Sequence, residues 1–122
     1  MSFDALYGLE LTDCSDSVVR ARVRVRDELT QSAGLVHGGV YSAICEAVAC
    51  RGTDAGVDGA GRAAVGLSNL TTTLHPIAGG TIHATARRRH RGRTTWVWEV
   101  EISDDERRRC AVARVTVAVR DV

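Results

Sequence analysis

The sequence predicts an α+β fold in which one helix packs on an antiparallel sheet of five to six strands. Three observations carry this. Four segments alternate apolar and polar residues with period two, the signature of a strand with one buried and one wet face. A single segment follows helical periodicity instead. The later strands are joined by short turns, which makes them antiparallel neighbours.

In chain order, Leu6–Leu11 is a weak strand candidate, and Val19 to Arg26 alternates valine or alanine with arginine throughout. From Gly39 to about Asp54, Val40, Ile44, Ala47 and Val48 recur at helical spacing, and Gly52, Gly56 and Gly59 are expected to end that helix in a loop through VDGAG. Ala63–Leu74 is a second weak strand candidate. Three alternating strands follow, with Ile82, Ala84 and Ala86, then Trp96, Trp98, Val100 and Ile102, then Ala111 to Val119 as their buried sets. Arg91-Gly92 and Asp104-Asp105-Glu106 mark the turns between them.

A chain of 122 residues is expected to form one domain, residues 1–122. At this size folding hides only about two-thirds of the surface of the unfolded chain, so a partner subunit would add substantially to the core. Composition is ordinary for a globular protein, and a formal net charge of +1 sets up no field for nucleic acid or membrane. The basic residues are all arginine. No run approaches the ~20 apolar residues of a membrane helix. The start, MSFDALYGLE, does not resemble a signal peptide, so a cytoplasmic location is expected, with Cys14, Cys45, Cys50 and Cys110 as reduced, buried thiols.

The helix carries one charged residue in its middle, Glu46, well away from the Val40/Ile44/Val48 stripe and on the side of Gly39, Ser42 and Cys50. Periodicity alone makes it a solvated glutamate. The approach to the helix, Leu35-Val36-His37-Gly38-Gly39, adds a second signal. Glycines at a helix start let a ligand meet the backbone without a β-carbon in the way. The unpaired N–H groups there, at the positive end of the dipole, favour developing negative charge.

The stretch from Gln31 through His37-Gly38-Gly39 to Glu46 resembles the signature of hotdog-fold acyl-CoA thioesterases of the phenylacetate-degradation type, including 4-hydroxybenzoyl-CoA and 1,4-dihydroxy-2-naphthoyl-CoA hydrolases that use a glutamate. The likeness continues through His90-Arg91-Gly92-Arg93, the Val97-Trp98 strand, an acidic turn and Ala113 to Thr116. It implies a long helix wrapped by a curved sheet, with active sites at the interface of a homodimer or a dimer of dimers. It implies Glu46 as nucleophile or general base, and the Gly38 N–H, joined by Gly39, polarising the thioester carbonyl. Gln31 and His37 would orient the carbonyl or the water. No metal or cofactor is needed, coenzyme A being part of the substrate.

The resemblance also assigns CoA contacts to His90, Arg91, Gly92, Arg93, Thr94 and Thr95, to Gly66, and to the Thr73-Leu74-His75-Pro76 bend, where His75 replaces the arginine of some relatives. Arginine suits the phosphates of CoA. Arg87, Arg89 and Arg107 to Arg109 read as solvated, and no aromatic residue interleaves the cluster as in nucleic-acid binding. One departure stands out: relatives often carry Ser or Thr one helical turn after the glutamate, and here that residue is Cys50, a poor hydrogen-bond donor.

Two rivals remain. Hotdog hydratases set an aspartate five residues before a histidine, but Ser32 stands at that place. A non-catalytic acyl-CoA binder or sensor would have no use for a carboxylate beside an electrophilic carbon. Aromatic residues are 4% of the chain, so an acyl pocket lined by aliphatic side chains and backbone is expected, for an aryl or medium-chain acyl group.

Overall fold

A computed structural model describes residues 2–57, 59 and 61–122. A short helix α1 (Phe3–Leu6) leads into strands β1 (Glu10–Cys14) and β2 (Val18–Arg24), helix α2 (Gly38–Val57), and strands β3 (Arg62–Thr73), β4 (Thr81–Arg91), β5 (Thr95–Ser103) and β6 (Arg109–Asp121). The six strands form one antiparallel sheet in the order β1-β2-β4-β5-β6-β3. With 20 residues, α2 is about 30 Å long and lies along the inner face of the sheet. This is the hotdog arrangement, with the upper number of strands expected.

The alternating segments explain the layering. Val19, Ala21 and Val23 of β2 are buried and the arginines between them exposed. Ile82, Ala84 and Ala86 of β4, Trp96 to Ile102 of β5, and Val115 to Val119 of β6 continue the buried face onto Tyr41, Ile44, Cys45 and Val48 of α2. The outer face is charged. Arg22 pairs with Glu10 at 3.0 Å, and Arg89 and Arg114 share Glu99 at 3.1 and 3.3 Å.

Two expectations are corrected. Gly52 and Gly56 do not end α2. They lie inside it, because an added β-carbon would stand 2.3 Å from the Trp98 ring and 2.4 Å from the Trp96 ring. These glycines are the seats of two indoles that lie against the helix, and Trp98 Nε1 donates to Thr53 Oγ1 at 2.9 Å. Asp58 and Ala60 of the VDGAG loop lie outside the described residues. The strand expected near Leu6–Leu11 starts later: Ser2 caps α1 by accepting the Ala5 N–H, the backbone turns through Gly8 at φ +86°, and β1 runs from Glu10 to Cys14.

Exposed apolar side chains gather on β3, the free edge of the sheet opposite β1, where Val65, Leu67 and Leu70 are at least half exposed. A 12-residue edge strand of this kind is a template for pairing with another chain. The expectation of buried thiols holds for Cys45 and Cys110; Cys14 is exposed, and Cys50 is partly buried. Among the described residues, no helix is long and apolar enough to cross a membrane.

Candidate active site

The approach to α2 is pinned by backbone bonds. Thr30 bridges Val36, the His37 N–H donates to the Leu29 carbonyl at 2.9 Å, and the Val36 N–H to that of Ile77 at 2.8 Å. His37 then folds back over the helix start. Its Nδ1 accepts the Gly39 N–H at 2.8 Å, which places the ring proton of a neutral imidazole on Nε2. The two glycines are therefore not equivalent. The Gly39 N–H is occupied by His37, whereas the Gly38 N–H has no partner among the described residues, and an added β-carbon at Gly38 would meet only open space. Gly38 is the free donor at the positive end of the helix. The Gln31 side-chain carbonyl accepts the Ala33 N–H, tying it into its own turn.

Glu46 is exposed on α2, beside β3. Its carboxylate rests against Gly66, where a β-carbon would come within 2.9 Å of Glu46 Cδ. Sheet register slips between Gly66 and Ser68, a bulge directly beside the carboxylate. A cleft of about 440 Å³ opens here, lined by Glu46 with Gly39, Ser42, Ala43, Ala47 and Cys50 of the helix, Asn69 of β3, and Phe3 and Asp4 of α1. Among the described residues Glu46 has no ion-pair partner.

Neighbouring side chains are tightly tied. Asp4 accepts from the Tyr7 hydroxyl at 3.2 Å and from Arg51 at 3.3 Å. Burial, then the Asp4 carboxylate, raise the Tyr7 phenol well above its ordinary range. Asp54, two turns beyond Glu46, accepts the Ala64 N–H at 2.9 Å. Burial pushes the Cys50 thiol up to about 11, and the nearby charges of Glu46, Asp54 and Asp4 add to the rise, so it is neutral at physiological pH.

The sequence reading missed Asn69. Its amide donates to the Ser42 carbonyl at 2.9 Å and accepts the Thr71 hydroxyl at 2.7 Å. The one available signal was a lone amide among threonines on a predicted strand, and its meaning depends on which helix turn lies opposite. A second groove of about 600 Å³ shares Phe3, Gly39 and Ala43 with the cleft and continues past His37, Leu29, Val40, Leu6 and Tyr7. Phe3 and Tyr7 put aromatic surface into this groove beside the cleft.

Of the residues assigned to CoA, Gly66 lies within β3 beside Glu46, and the others form two groups that one chain does not bring together. Thr73, Leu74, His75 and Pro76 follow the far end of β3, where the Leu74 and His75 N–H groups share the Cys110 carbonyl. His90 to Thr95 lie near its beginning, where Arg62 donates to the Arg93 carbonyl. Twelve residues of strand, roughly 36 Å, separate them. Arg91 is already engaged. It bonds Asp16 at 2.7 Å and the Gly56 carbonyl at 3.1 Å, and its guanidinium lies 4.6 Å from the Trp96 ring centroid. The Gly92 N–H closes the turn onto the Thr95 carbonyl, which stands 2.7 Å from where a β-carbon would be. His90, Arg93 and Thr94 are exposed. Among the described residues, no three His, Cys, Asp or Glu side chains converge as a metal site would require.

Residues 33–111 match the family model described as the thioesterase superfamily. The chain is 38% identical over 122 residues to the Mycobacterium tuberculosis protein Rv1847, which bears a provisional esterase name, covering 98% of this chain and 86% of that one. The Rv1847 structure superposes with a TM-score of 0.94 at 36% identity, covering 98% and 97% of the two chains. The Pseudomonas aeruginosa thioesterase PA1618, in a variant with a glutamine replaced by alanine, gives 0.94 at 30% identity, covering 99% and 87%. The Staphylococcus aureus protein SAV0944, with a glutamate replaced by alanine, gives 0.96 at 27% identity, covering 99% and 100%. The helix along a six-stranded antiparallel sheet is thus the fold of these structures, and the chain belongs to the thioesterase superfamily.

Proposed function

We propose that the protein hydrolyses acyl-CoA thioesters, with Glu46 as nucleophile or general base and the Gly38 N–H polarising the thioester carbonyl. The observation that carries this reading is the seat of Glu46: a carboxylate without an ion-pair partner among the described residues, in an open cleft of small side chains, its head against a glycine. A solvated surface glutamate needs no such seat. A further support comes from SAV0944, also described as a thioesterase, for which a glutamine variant is known as well. The replaced glutamine and glutamate of that chain stand fifteen residues apart, as Gln31 and Glu46 do here.

In the general-base form, water attacks the thioester carbon as Glu46 takes its proton. The carbonyl oxygen gathers charge against the Gly38 N–H. The C–S bond then breaks, Glu46 returns the proton to the leaving thiolate, and a carboxylic acid and free CoA thiol depart. In the nucleophilic form an acyl-glutamyl anhydride precedes the water step.

Spacing argues for a site shared between two copies. Gly38 and Glu46 are eight residues apart on one helix, about 12 Å along its axis. Gln31 does not line the Glu46 cleft, and the two CoA groups lie at opposite ends of β3. Two chains joined along their β3 edges would cover Val65, Leu67 and Leu70 and set one chain's glutamate beside the other's helix start. A homodimer is the minimal assembly, and a dimer of dimers is compatible with it. A monomeric mass at micromolar concentration with activity intact would overturn the shared site.

The central test is Glu46→Gln, assayed by thiol release from a panel of aryl- and medium-chain acyl-CoAs. A fall in kcat on the order of 10²–10⁴ is expected, the range for a lost general base, with acyl-CoA binding retained. Near-wild-type turnover in the variant would reject the role of Glu46. Tight acyl-CoA binding by a wild-type protein that turns nothing over would instead favour a non-catalytic binder.

A further inference from the structure

Hydrolysis needs an oriented water as well as a carboxylate to deprotonate it, and in an open cleft a second group must hold that water. The other polar side chains on the cleft wall are Asp4, Ser42, Cys50 and Asn69. Asp4 is engaged by Tyr7 and Arg51, accepting from both. The Cys50 thiol is a weak donor. Ser42 and Asn69 remain.

Asn69 is held at both ends. A backbone carbonyl only accepts, so the group facing the Ser42 oxygen at 2.9 Å must be the NH2 of the amide. Its oxygen then accepts the Thr71 hydroxyl at 2.7 Å. This uses one of the two amide N–H bonds and leaves the other without a partner among the described residues, on the wall of the cleft that holds Glu46. The Ser42 carbonyl also lies one helical turn before Glu46, so it accepts the Glu46 backbone N–H in the helix ladder. One hydrogen bond therefore orients the amide and ties β3 to the turn that carries the carboxylate. The Ser42 hydroxyl has no partner among the described residues and rotates freely, whereas the spare N–H of Asn69 has a fixed direction, the property that makes a donor effective in a transition state.

The geometry points to Asn69 as the donor that positions the attacking water between Glu46 and the thioester carbon, an assignment that rests on the general-base form of the thioesterase reading above. The water oxygen accepts the Asn69 N–H with one lone pair, gives a proton to Glu46 and attacks the carbonyl carbon with the other lone pair. The new C–O bond replaces the C–S bond, and Glu46 passes the proton to the thiolate. The polar machinery is thus divided between helix and edge strand, with the base on α2 and the water holder on β3.

The test compares wild type with Asn69→Ala, Ser42→Ala and Thr71→Val in thiol release from octanoyl-, benzoyl- and phenylacetyl-CoA, with and without hydroxylamine. Asn69→Ala is expected to lower kcat on the order of 10- to 100-fold, at or below the contribution of one preorganised donor, with KM within about twofold. Hydroxylamine, a stronger nucleophile than water, forms the hydroxamate without the positioned water and should restore proportionally more turnover to Asn69→Ala than to wild type. Thr71→Val loosens the amide but keeps its N–H, and should show a smaller loss with the same rescue. A kcat for Asn69→Ala within about twofold of wild type, a loss without hydroxylamine rescue, or a larger loss in Ser42→Ala each overturns the assignment. Should Asn69→Ala not fold, Thr71→Val decides, and wild-type kcat or absent rescue there overturns it. Glu46→Gln, run in parallel, separates the failures. An inactive Glu46→Gln beside an unimpaired Asn69→Ala removes Asn69 alone, while a wild type that turns over no thioester removes the thioesterase reading and this assignment with it.

Discussion

The carboxylate of Glu46 occupies the space that a side chain on Gly66 would need: a β-carbon there would stand 2.9 Å from Glu46 Cδ and 3.0 Å from Oε1. The clash is with the far end of a flexible side chain, which can swing away at little cost. Gly66→Ala should therefore fold with stability changed by no more than about 1 kcal/mol, the scale of a Gly-to-Ala change in a strand. Its kcat should fall by roughly tenfold or more, because a carboxylate displaced by an ångström no longer meets its target. Denaturant melts and thiol-release kinetics on the same preparation would show the two effects apart, and full activity in this variant would mean that the seat against Gly66 is incidental.

Gly52 and Gly56 should behave in the opposite way. Their missing β-carbons are filled by indole rings locked in the core, and Trp98 is further held by Thr53. In an exposed helix, Gly→Ala stabilises by about 1 kcal/mol. Here Gly52→Ala should destabilise by about 1–3 kcal/mol through overpacking, measured as a lower urea midpoint with an unchanged m-value.

The thiols should separate by exposure and charge. Cys50 is pushed up to about 11 and the buried Cys45 to about 12, both mainly by burial, so at pH 8 almost none of either is thiolate. Iodoacetamide at pH 8 should label the exposed Cys14 first, as read by peptide mass spectrometry. Labelling of Cys50 should rise only as the pH climbs toward its raised value. Cys50→Ser should fold and keep or raise kcat, since a hydroxyl donates better than a neutral thiol. A fall of ~100-fold, about 2.7 kcal/mol of transition-state stabilisation, would give the thiol a role of its own.

Arg91 and Arg93 should part company despite their proximity. Arg91 is committed to Asp16, the Gly56 carbonyl and the Trp96 ring. Arg91→Ala should lower the melting temperature, at a cost of about 0.5–2 kcal/mol for an exposed cation–π contact and a surface ion pair. Arg93→Ala should leave stability alone and raise KM for acyl-CoA with kcat little changed, an effect that shrinks with added salt. Equal KM in Arg93→Ala and wild type would remove Arg93 from the CoA contacts.

What could be read from the sequence was what depends on local periodicity. Valines alternating with arginines declare β2, and the Val40/Ile44/Val48 stripe declares α2, because one buried face is enough to write each pattern. Glu46 could be singled out as a charge off that stripe. The misreadings have a common origin in contacts distant along the chain. Gly52 and Gly56 looked like helix stops until two tryptophans from β5 were found in their place. Arg91, assigned to CoA by resemblance, also meets Asp16 and the end of α2, partners that no local pattern announces. Asn69 offered only a lone amide among threonines, whose meaning depends on the Ser42 carbonyl 27 residues away.

The strand order has a consequence for how this protein is born. β3 is made early, yet the strand it hydrogen-bonds to is β6, the last in the sequence, with residues 74–108 between them. On the ribosome, α2 with Glu46 can form while its neighbouring wall is still a loose ribbon carrying Val65, Leu67 and Leu70. Gly66 and Asn69 gain their sheet partners only when the final strand slots between β5 and β3. The nascent chain thus passes through a stage that holds its carboxylate but not its cleft, and that stage is also when its stickiest strand is least protected.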